Sequence, residues 1–440
     1  MTTPTETPDA QQDSSDDGGS GARTGWRDLL RGSAGIAVAM AVTNVGTYGF
    51  QMVAARVLGP ADYGAIASMM ALLMVVAVLQ LGLQATAARR ISADPDNVAV
   101  IAEVVVRTTR RCAWGLGALM LVLSPVVWKV LVLDSIVPAL LMAVAAVPLT
   151  LMGGQAGILQ GERRWFPLAA VYLAVGVPRL VFGSLCILIS PTETSAMIGV
   201  LVALFVPVAI GGWVLRHARD ERPAPGADAH GARAVGREVV ASSAALLAFF
   251  GLSNVDIVVA RHVLDSHDAG LYAGGLILTK AVLFLPQFVV VVAFPAMSNA
   301  ADRRRALLRS TGLVAAMGAA CTLGAWLLSS IALVFVGGDE YADVQSRLWL
   351  FAVLGTMLAI LQLVVYSVLA RQGTRSVYLI WVAVAVLVGC GLLASSLPAL
   401  VVTVSAVDGA LVVVLLALSL YRMRDEAHTP TPSPAPVPPA

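Results

Sequence analysis

Long apolar segments separated by short polar ones repeat along almost the whole chain. A helix that spans a bilayer needs about 20 mainly apolar residues, and twelve segments meet that requirement. They cover residues 34–55, 64–87, 112–132, 136–159, 165–189, 194–215, 239–261, 271–294, 310–336, 347–370, 376–396 and 398–420. The pattern therefore predicts an all-α polytopic membrane protein with about twelve transmembrane helices.

Three weakly patterned stretches set the predicted boundaries of the domains. Residues 216–238 contain several Pro and Gly residues and are predicted to be a cytoplasmic linker. The linker separates an N-lobe of six helices (25–215) from a C-lobe of six helices (239–424). Residues 1–24 lack an apolar core and residues 425–440 are rich in Pro, so both are predicted to be disordered cytoplasmic tails.

The stretch from Asp94 to Arg111 differs from the other polar segments. Pro95 suits the first turn of a helix, and Glu103 precedes Arg107 by four residues, which is a favourable spacing for an ion pair on a helix. We expect a short helix that lies along the inner membrane surface, with a solvated loop as the alternative.

A polar motif occurs once in each set of six helices. In both copies an Ala-Arg pair ends an apolar segment, and an Asp stands two residues before a Gly that begins the next one. The first copy has Arg56, Asp62 and Gly64, and the second has Arg261, Asp268 and Gly270, an offset of 205 or 206 residues. Such an echo is typical of transporters built from two related halves.

Two interpretations of this motif remain open. In the first, Arg56 reaches the outer headgroups, Gly59 and Pro60 make the turn, and Asp62 caps the next helix. In the second, Arg56 and Arg261 form an outer gate across the pseudo-symmetry axis.

Composition and charge agree with a membrane location and indicate an orientation. The chain is 58% hydrophobic and 13% charged, whereas globular proteins carry about 25% charged residues. Most of the 29 Lys and Arg residues fall in alternate loops, on the side of the N-terminus. Because cytoplasmic loops are enriched in Lys and Arg, both termini are predicted to be cytoplasmic.

Several function classes find little support in the sequence. The four Cys and five His residues follow no metal-ligand or disulfide spacing. The outer loops are too short for a catalytic domain, and there is no glycine-rich phosphate loop. We therefore expect neither an enzyme nor a metalloprotein, and no nucleic-acid partner.

Four ionisable residues lie inside predicted spans, namely Arg179, Asp256, Lys280 and Asp408. Each costs about 2.5–3.5 kcal/mol at the bilayer centre, so a functional role is the default hypothesis. Arg179 and Lys280 are candidates for a substrate cavity, and Asp256 and Asp408 for binding a coupling ion. The alternative is mutual neutralisation, of Lys280 by Asp256 or of Arg179 by Asp408.

Uncharged polar residues inside the spans form a second group of candidates. Asn44 and Gln51 in the first span are predicted to line a wet cavity with the two cations. The alternative is that they hydrogen-bond neighbouring helices.

The chain resembles the polysaccharide-transporter branch of the multidrug/oligosaccharidyl-lipid/polysaccharide (MOP) superfamily, which includes O-antigen and teichoic-acid exporters. The resemblance covers about residues 25–424, and one motif is fairly specific. That motif is Arg56-x-Leu58-Gly59-Pro60-x-x-Tyr63-Gly64; weaker matches are Leu159-Gln160-Gly161, Asp256, Gly270, Tyr272, Pro286 and Phe294-Pro295.

The resemblance implies a MATE-like fold of two pseudo-symmetric six-helix lobes around a cavity that opens alternately to each side. It also implies a flippase in a bacterial cell membrane, which moves an undecaprenyl-pyrophosphate-linked oligosaccharide to the outer leaflet. Its partners would be membrane lipids and a polysaccharide polymerase or glycosyltransferases, with no cofactor beyond a coupling proton or sodium ion. The alternatives are an ion-coupled drug exporter of the same superfamily and a non-transporting scaffold of a glycan-synthesis complex.

Overall fold

The computed structural model describes residues 33–217, 229–284, 303–369 and 374–428. Most of the two predicted tails lies outside these ranges, as does the middle of the predicted linker. Three of the resemblance positions, Pro286, Phe294 and Pro295, also lie outside the described residues.

All regular elements in the described ranges are helical. They are α1 (Ser33–Ala93), α2 (Val98–Val130), α3 (Val137–Gly161), α4 (Trp165–Ile189), α5 (Glu193–His217), α6 (Ala229–Val263), α7 (Ser266–Phe284), α8 (Arg303–Leu327), α9 (Ser329–Val336), α10 (Ala342–Gln345), α11 (Leu348–Leu369), α12 (Thr374–Gly391) and α13 (Leu397–His428). Two short 3₁₀ turns, Pro95–Asn97 and Asp339–Tyr341, precede α2 and α10.

Among the described residues, nine helices are long and apolar enough to cross a membrane. The first, α1, contains two of the predicted spans, and α7 and the shorter α12 occupy the places of two others. The prediction of an all-α polytopic membrane protein is confirmed.

A sharp kink divides α1 into two arms, 33–58 and 60–93, where the sequence predicts a turn between two spans. Gly59 has a φ of 72° and a ψ of 174°, a conformation that only glycine adopts at little cost. Pro60 follows at once and has no N–H to continue the ladder of hydrogen bonds. The two residues therefore redirect the chain without an intervening loop.

The helices form two groups that α1 connects. In the N-terminal half, α1 packs against α3 and α4, α4 against α5, and α2 against α3. In the C-terminal half, α11 packs against α7, α8 and α13, and α12 against α6 and α13. Helix α1 also packs against α6 and α7, so it contacts helices of both halves.

The observed helices differ from the predicted segments at four places. The predicted surface helix is continuous with the third span in α2, although its Glu103–Arg107 ion pair forms, with 2.8 Å between Oε1 and Nη2. The predicted span 310–336 is broken at Leu328 into α8 and α9. Helix α6 begins at Ala229, within the predicted linker, and α13 continues to His428, within the predicted tail, because helical hydrogen bonding extends past the apolar segments.

Candidate functional site

A cavity of about 220 Å³ lies in the N-terminal half, between the two arms of α1 and helices α3, α4 and α5. The predicted cavity residues Asn44, Gln51 and Arg179 all line it. Thr43, Thr47 and Gln80 add further polar groups to its wall, and none of the described residues that line it is acidic. The sequence reasoning did not single out Thr43 and Thr47 for this role.

Close helix packing places these residues around one space. A Cβ atom at Gly46 of α1 would lie 2.7 Å from the carbonyl group of Gly176 in α4, so only glycine permits this approach. The Thr43 hydroxyl donates to the carbonyl oxygen of Tyr172 at 2.6 Å, which holds α1 against α4. The Tyr63 hydroxyl donates to Oε1 of Gln51 at 3.3 Å and orients that amide.

Within the described part of the chain, Arg179 is the only charged side chain on the wall of this cavity. Its Nε is buried and has no hydrogen-bond partner among the described residues. A buried donor without a partner is costly, and a guanidinium binds carboxylate or phosphate groups through paired hydrogen bonds. The cavity therefore has the chemistry of an anion site that also offers hydroxyl and amide groups to a hydrated ligand.

Lys280 was predicted for the same cavity but is not among the residues that line it. It lies in the C-terminal half, where its Nζ donates to the carbonyl oxygen of Ser253 at 2.5 Å and to Oδ1 of Asn254 at 3.1 Å. These residues and Asp256 belong to α6, whereas Lys280 belongs to α7. The two predicted cavity cations thus occupy separate sites.

Two buried carboxyl groups accompany Lys280. Asp256 and Asp408 are 3% and 1% exposed, and both interact electrostatically with Lys280 and with each other. Tyr272 donates its hydroxyl to Oδ2 of Asp256 at 2.9 Å, while Oδ1 of each carboxyl group has no partner within the described ranges. We define Asp256, Tyr272, Lys280 and Asp408 as the C-half cluster.

The predicted neutralisation of these charges is therefore only partial. In the part of the chain that the structure describes, no carboxylate oxygen lies within 4.0 Å of the Lys280 ammonium. The electrostatic neighbours of Asp408 are Asp256 and Lys280, so the alternative pairing of Asp408 with Arg179 is not seen. Although Asp408 lies in α13, the last helix, its side chain is buried.

Both copies of the repeated motif lie at the end of the bundle that contains Gly59. Arg56 donates from Nη2 to the carbonyl oxygen of Val334, in the last turn of α9, at 2.9 Å. Arg261 donates from Nε to the carbonyl oxygen of Leu131 at 3.3 Å and from Nη2 to that of Val132. Each arginine thus reaches from its own half to backbone carbonyls at the C-terminal end of a helix in the other half.

The remaining motif residues surround these contacts. Asp62 is exposed and interacts electrostatically with Arg261, whose guanidinium lies over Gly64. The N–H of Asp268 donates to Oδ1 of Asp265 at 2.8 Å, so Asp265 supplies the side-chain cap at the start of α7. The motif joins the two halves as well as forming a turn.

Gly270 makes the tightest backbone contact at this end, and its replacement should destabilise the fold. A Cβ atom at Gly270 would overlap the carbonyl group of Pro60. We expect Gly270→Ala to lower the free energy of unfolding by about 1–3 kcal/mol, as overpacking does. The thermal unfolding midpoint of the purified protein would measure this loss. Gly251→Ala is the matched control, because a Cβ there meets no atom within 4 Å; equal midpoints would contradict the contact.

Comparison with known proteins adds a family and a fold. A family model described as "Polysaccharide biosynthesis protein" matches residues 53–346. Among curated proteins, none matches the chain. The fold is similar to a structure described as the inward-facing conformation of a multidrug resistance MATE family transporter of the MOP superfamily, with a TM-score of 0.75 and 12% identity, covering 90% of this chain and 100% of that one.

Two other solved structures share this fold. One is described as an outward-facing MATE family transporter, with a TM-score of 0.64 and 15% identity over 91% of this chain and 98% of that chain. The other is a MOP superfamily transporter from Pyrococcus furiosus, described as having a binding pocket of reverse polarity. It has a TM-score of 0.60 and 14% identity, and covers 91% of this chain and 96% of its own.

Proposed function

Because this chain belongs to the polysaccharide biosynthesis protein family, within the MOP superfamily of membrane transporters, we propose that it is a flippase for a polyprenyl-pyrophosphate-linked oligosaccharide. It moves this precursor of a surface polysaccharide from the inner to the outer leaflet by alternating access. The observation that carries the proposal is Arg179: as far as the structure describes the chain, this cation has no hydrogen-bond partner at Nε and lies in a cavity with no acidic residue in its wall.

The chemistry of that cavity suits the head group of such a lipid. A pyrophosphate is anionic and a glycan is strongly hydrated, so both pay a large penalty in hydrocarbon. Arg179 would bind the anion, while Asn44, Gln51 and the two threonines would replace water around hydroxyl groups. The polyprenyl tail would remain in the surrounding lipid.

The same observation argues against the drug exporter. A cavity that selects cationic drugs needs acidic groups in its wall, and here the wall has a cation instead. The absence of a catalytic role is part of our proposal, as is the absence of a cofactor.

Energy coupling and gating involve the two other groups of residues. We assign Asp256 and Asp408 to the coupling ion, since each has a buried carboxylate oxygen with no partner among the described residues. We assign Arg56 and Arg261 to a gate at the Gly59 end, which their contacts hold closed. Alternating access then requires these contacts to break and re-form in each cycle.

The charge distribution supports a location and an orientation. We place the protein in a bacterial plasma membrane with both termini in the cytoplasm and the Gly59 end outside, because most Lys and Arg residues fall in loops on the opposite side. Partners in this setting would be membrane lipids and the glycosyltransferases or polymerase that make and use the precursor.

Mass spectrometry of lipid-linked intermediates in a deletion strain tests the proposal. We expect a complete polyprenyl-pyrophosphate oligosaccharide to accumulate and one surface polymer to disappear. Complementation with the Arg179→Ala variant should leave both changes in place. Unchanged intermediates together with greater sensitivity to cationic dyes would reject the flippase in favour of the drug exporter, and full complementation by the variant would favour the scaffold.

A further inference from the structure

Lys280 occupies a position whose chemistry is that of a cation site. Its Nζ contacts a backbone carbonyl oxygen, that of Ser253, and an amide oxygen, that of Asn254. Nδ2 of Asn254 donates to the carbonyl oxygen of Phe250 at 2.8 Å, which turns Oδ1 towards Lys280. Carbonyl and amide oxygens near carboxylates are the usual ligands of hard metal cations.

The charges of the C-half cluster do not balance when all its members are ionised. Asp256 and Asp408 would then carry two negative charges against the single positive charge of Lys280, and all three are buried. A net buried charge is costly, and two neighbouring carboxyl groups resist ionising together. One carboxyl group therefore needs a proton or a second cation. Among the described residues, the titratable groups that interact within this site are Asp256, Tyr272, Lys280 and Asp408.

We propose that Lys280 is a tethered cation that fills the place of an alkali ion, so that the C-half cluster exchanges a proton and does not bind sodium. The ammonium already contacts the carbonyl oxygen of Ser253 and Oδ1 of Asn254. Among the described residues, the oxygens of the cluster left without a partner are Oδ1 of Asp256 and Oδ1 of Asp408. A proton adds to one of these oxygens and needs no further ligands.

This inference names the coupling ion of the flippase and rests on that proposed function for its use in transport. When water reaches the cluster from one side, the shared proton leaves and two carboxylates remain beside one ammonium. A proton taken up from the other side neutralises one of the two carboxylates, and the net charge of the cluster returns to zero. No other reactant enters or leaves the cycle.

Thermal unfolding of the purified protein in sodium chloride and in choline chloride, at equal ionic strength and pH 7.5, tests the inference. The unfolding midpoint of the wild type should be the same in both salts. Lys280→Ala should gain a sodium-dependent rise of about 2–4 °C, because the vacated oxygens can then bind sodium while the negative charge of the nearby carboxyl groups favours the ion. Lys280→Ala/Asp256→Asn is the matched control and should lose the rise.

Each other outcome overturns the proposal. A sodium response in the wild type would show that Lys280 leaves room for the ion, and a Lys280→Ala protein without a response would show that Lys280 occupies no cation site. Lys280→Met provides a second neutral variant if Lys280→Ala does not fold, since its flexible side chain fills much of the same space and donates no hydrogen bond to the oxygens of Ser253 and Asn254. The measurement does not involve transport, so failure of glycan export would reject the proposed function and leave this inference standing.

Discussion

Replacing Arg179 with alanine is expected to reduce export of the lipid-linked oligosaccharide by about 10- to 150-fold. A hydrogen bond to a charged group contributes about 1.5–3 kcal/mol, and the loss of that free energy lowers the affinity by this factor. The protein should still fold, because Nε of Arg179 has no hydrogen bond to lose in the described structure. Transport of a fluorescent pyrophosphate-linked lipid in proteoliposomes would measure the effect.

Two variants separate charge from geometry at Arg179. Arg179→Lys keeps the positive charge but loses the planar fork that binds phosphate oxygens in pairs, so it should retain part of the activity. Arg179→Gln keeps an amide and loses the charge, and should behave like the alanine variant. Wild-type transport by the folded alanine variant would contradict an anion site in the N-terminal half.

The residues of the N-half cavity were largely predictable because they lie on helices whose apolar segments could be recognised. Asn44 and Gln51 are polar positions inside a span, where burial requires a cavity or a hydrogen-bond partner. Thr43 and Thr47 stand four residues apart and Gln51 follows after four more, a spacing that places all three on one helix face. This periodicity was the available signal for the two missed threonines.

The surroundings of Lys280 and Asp408 could not be predicted in the same way. Both lie in helices with apolar residues on all sides, so no polar face indicates which neighbour each side chain meets. Tertiary packing brings α6, α7 and α13 together around the cluster. A single sequence shows which residues are charged, but it does not show which helices pack together and bring those residues into contact.

The positions of helix breaks were also only partly predictable from the sequence. Pro148, Pro178 and Pro207 each lie within a helix that continues past them. The break between α8 and α9 instead falls at Leu328, which has a φ of −113° and a ψ of 40° and no local breaker residue. The kink at Gly59 was foreseeable because Gly and Pro stand together there.

Removing both Arg56 and Arg261 is expected to open the Gly59 end of the bundle. Each guanidinium binds carbonyl oxygens at a helix C-terminus of the opposite half, where the helix dipole is negative and the carbonyls lack helical partners. Arg261 is half-buried and makes two contacts, whereas Arg56 is exposed and makes one. We therefore expect openings about tenfold more frequent for Arg261→Ala and about threefold for Arg56→Ala.

The double variant distinguishes a gate from a turn with an arginine near the headgroups. If the two contacts act independently, their free energies add and the double variant should open about thirtyfold more often. A cysteine at Ala269, which is 1% exposed, would report opening through its rate of labelling by a membrane-impermeant maleimide, once the native cysteines are replaced. Arg164→Ala is the control, because its ion pair is with Glu162, two residues away in the turn between α3 and α4. Equal labelling of the double variant and the wild type would mean that the arginines do not hold this end closed, and the motif would then serve only as a turn.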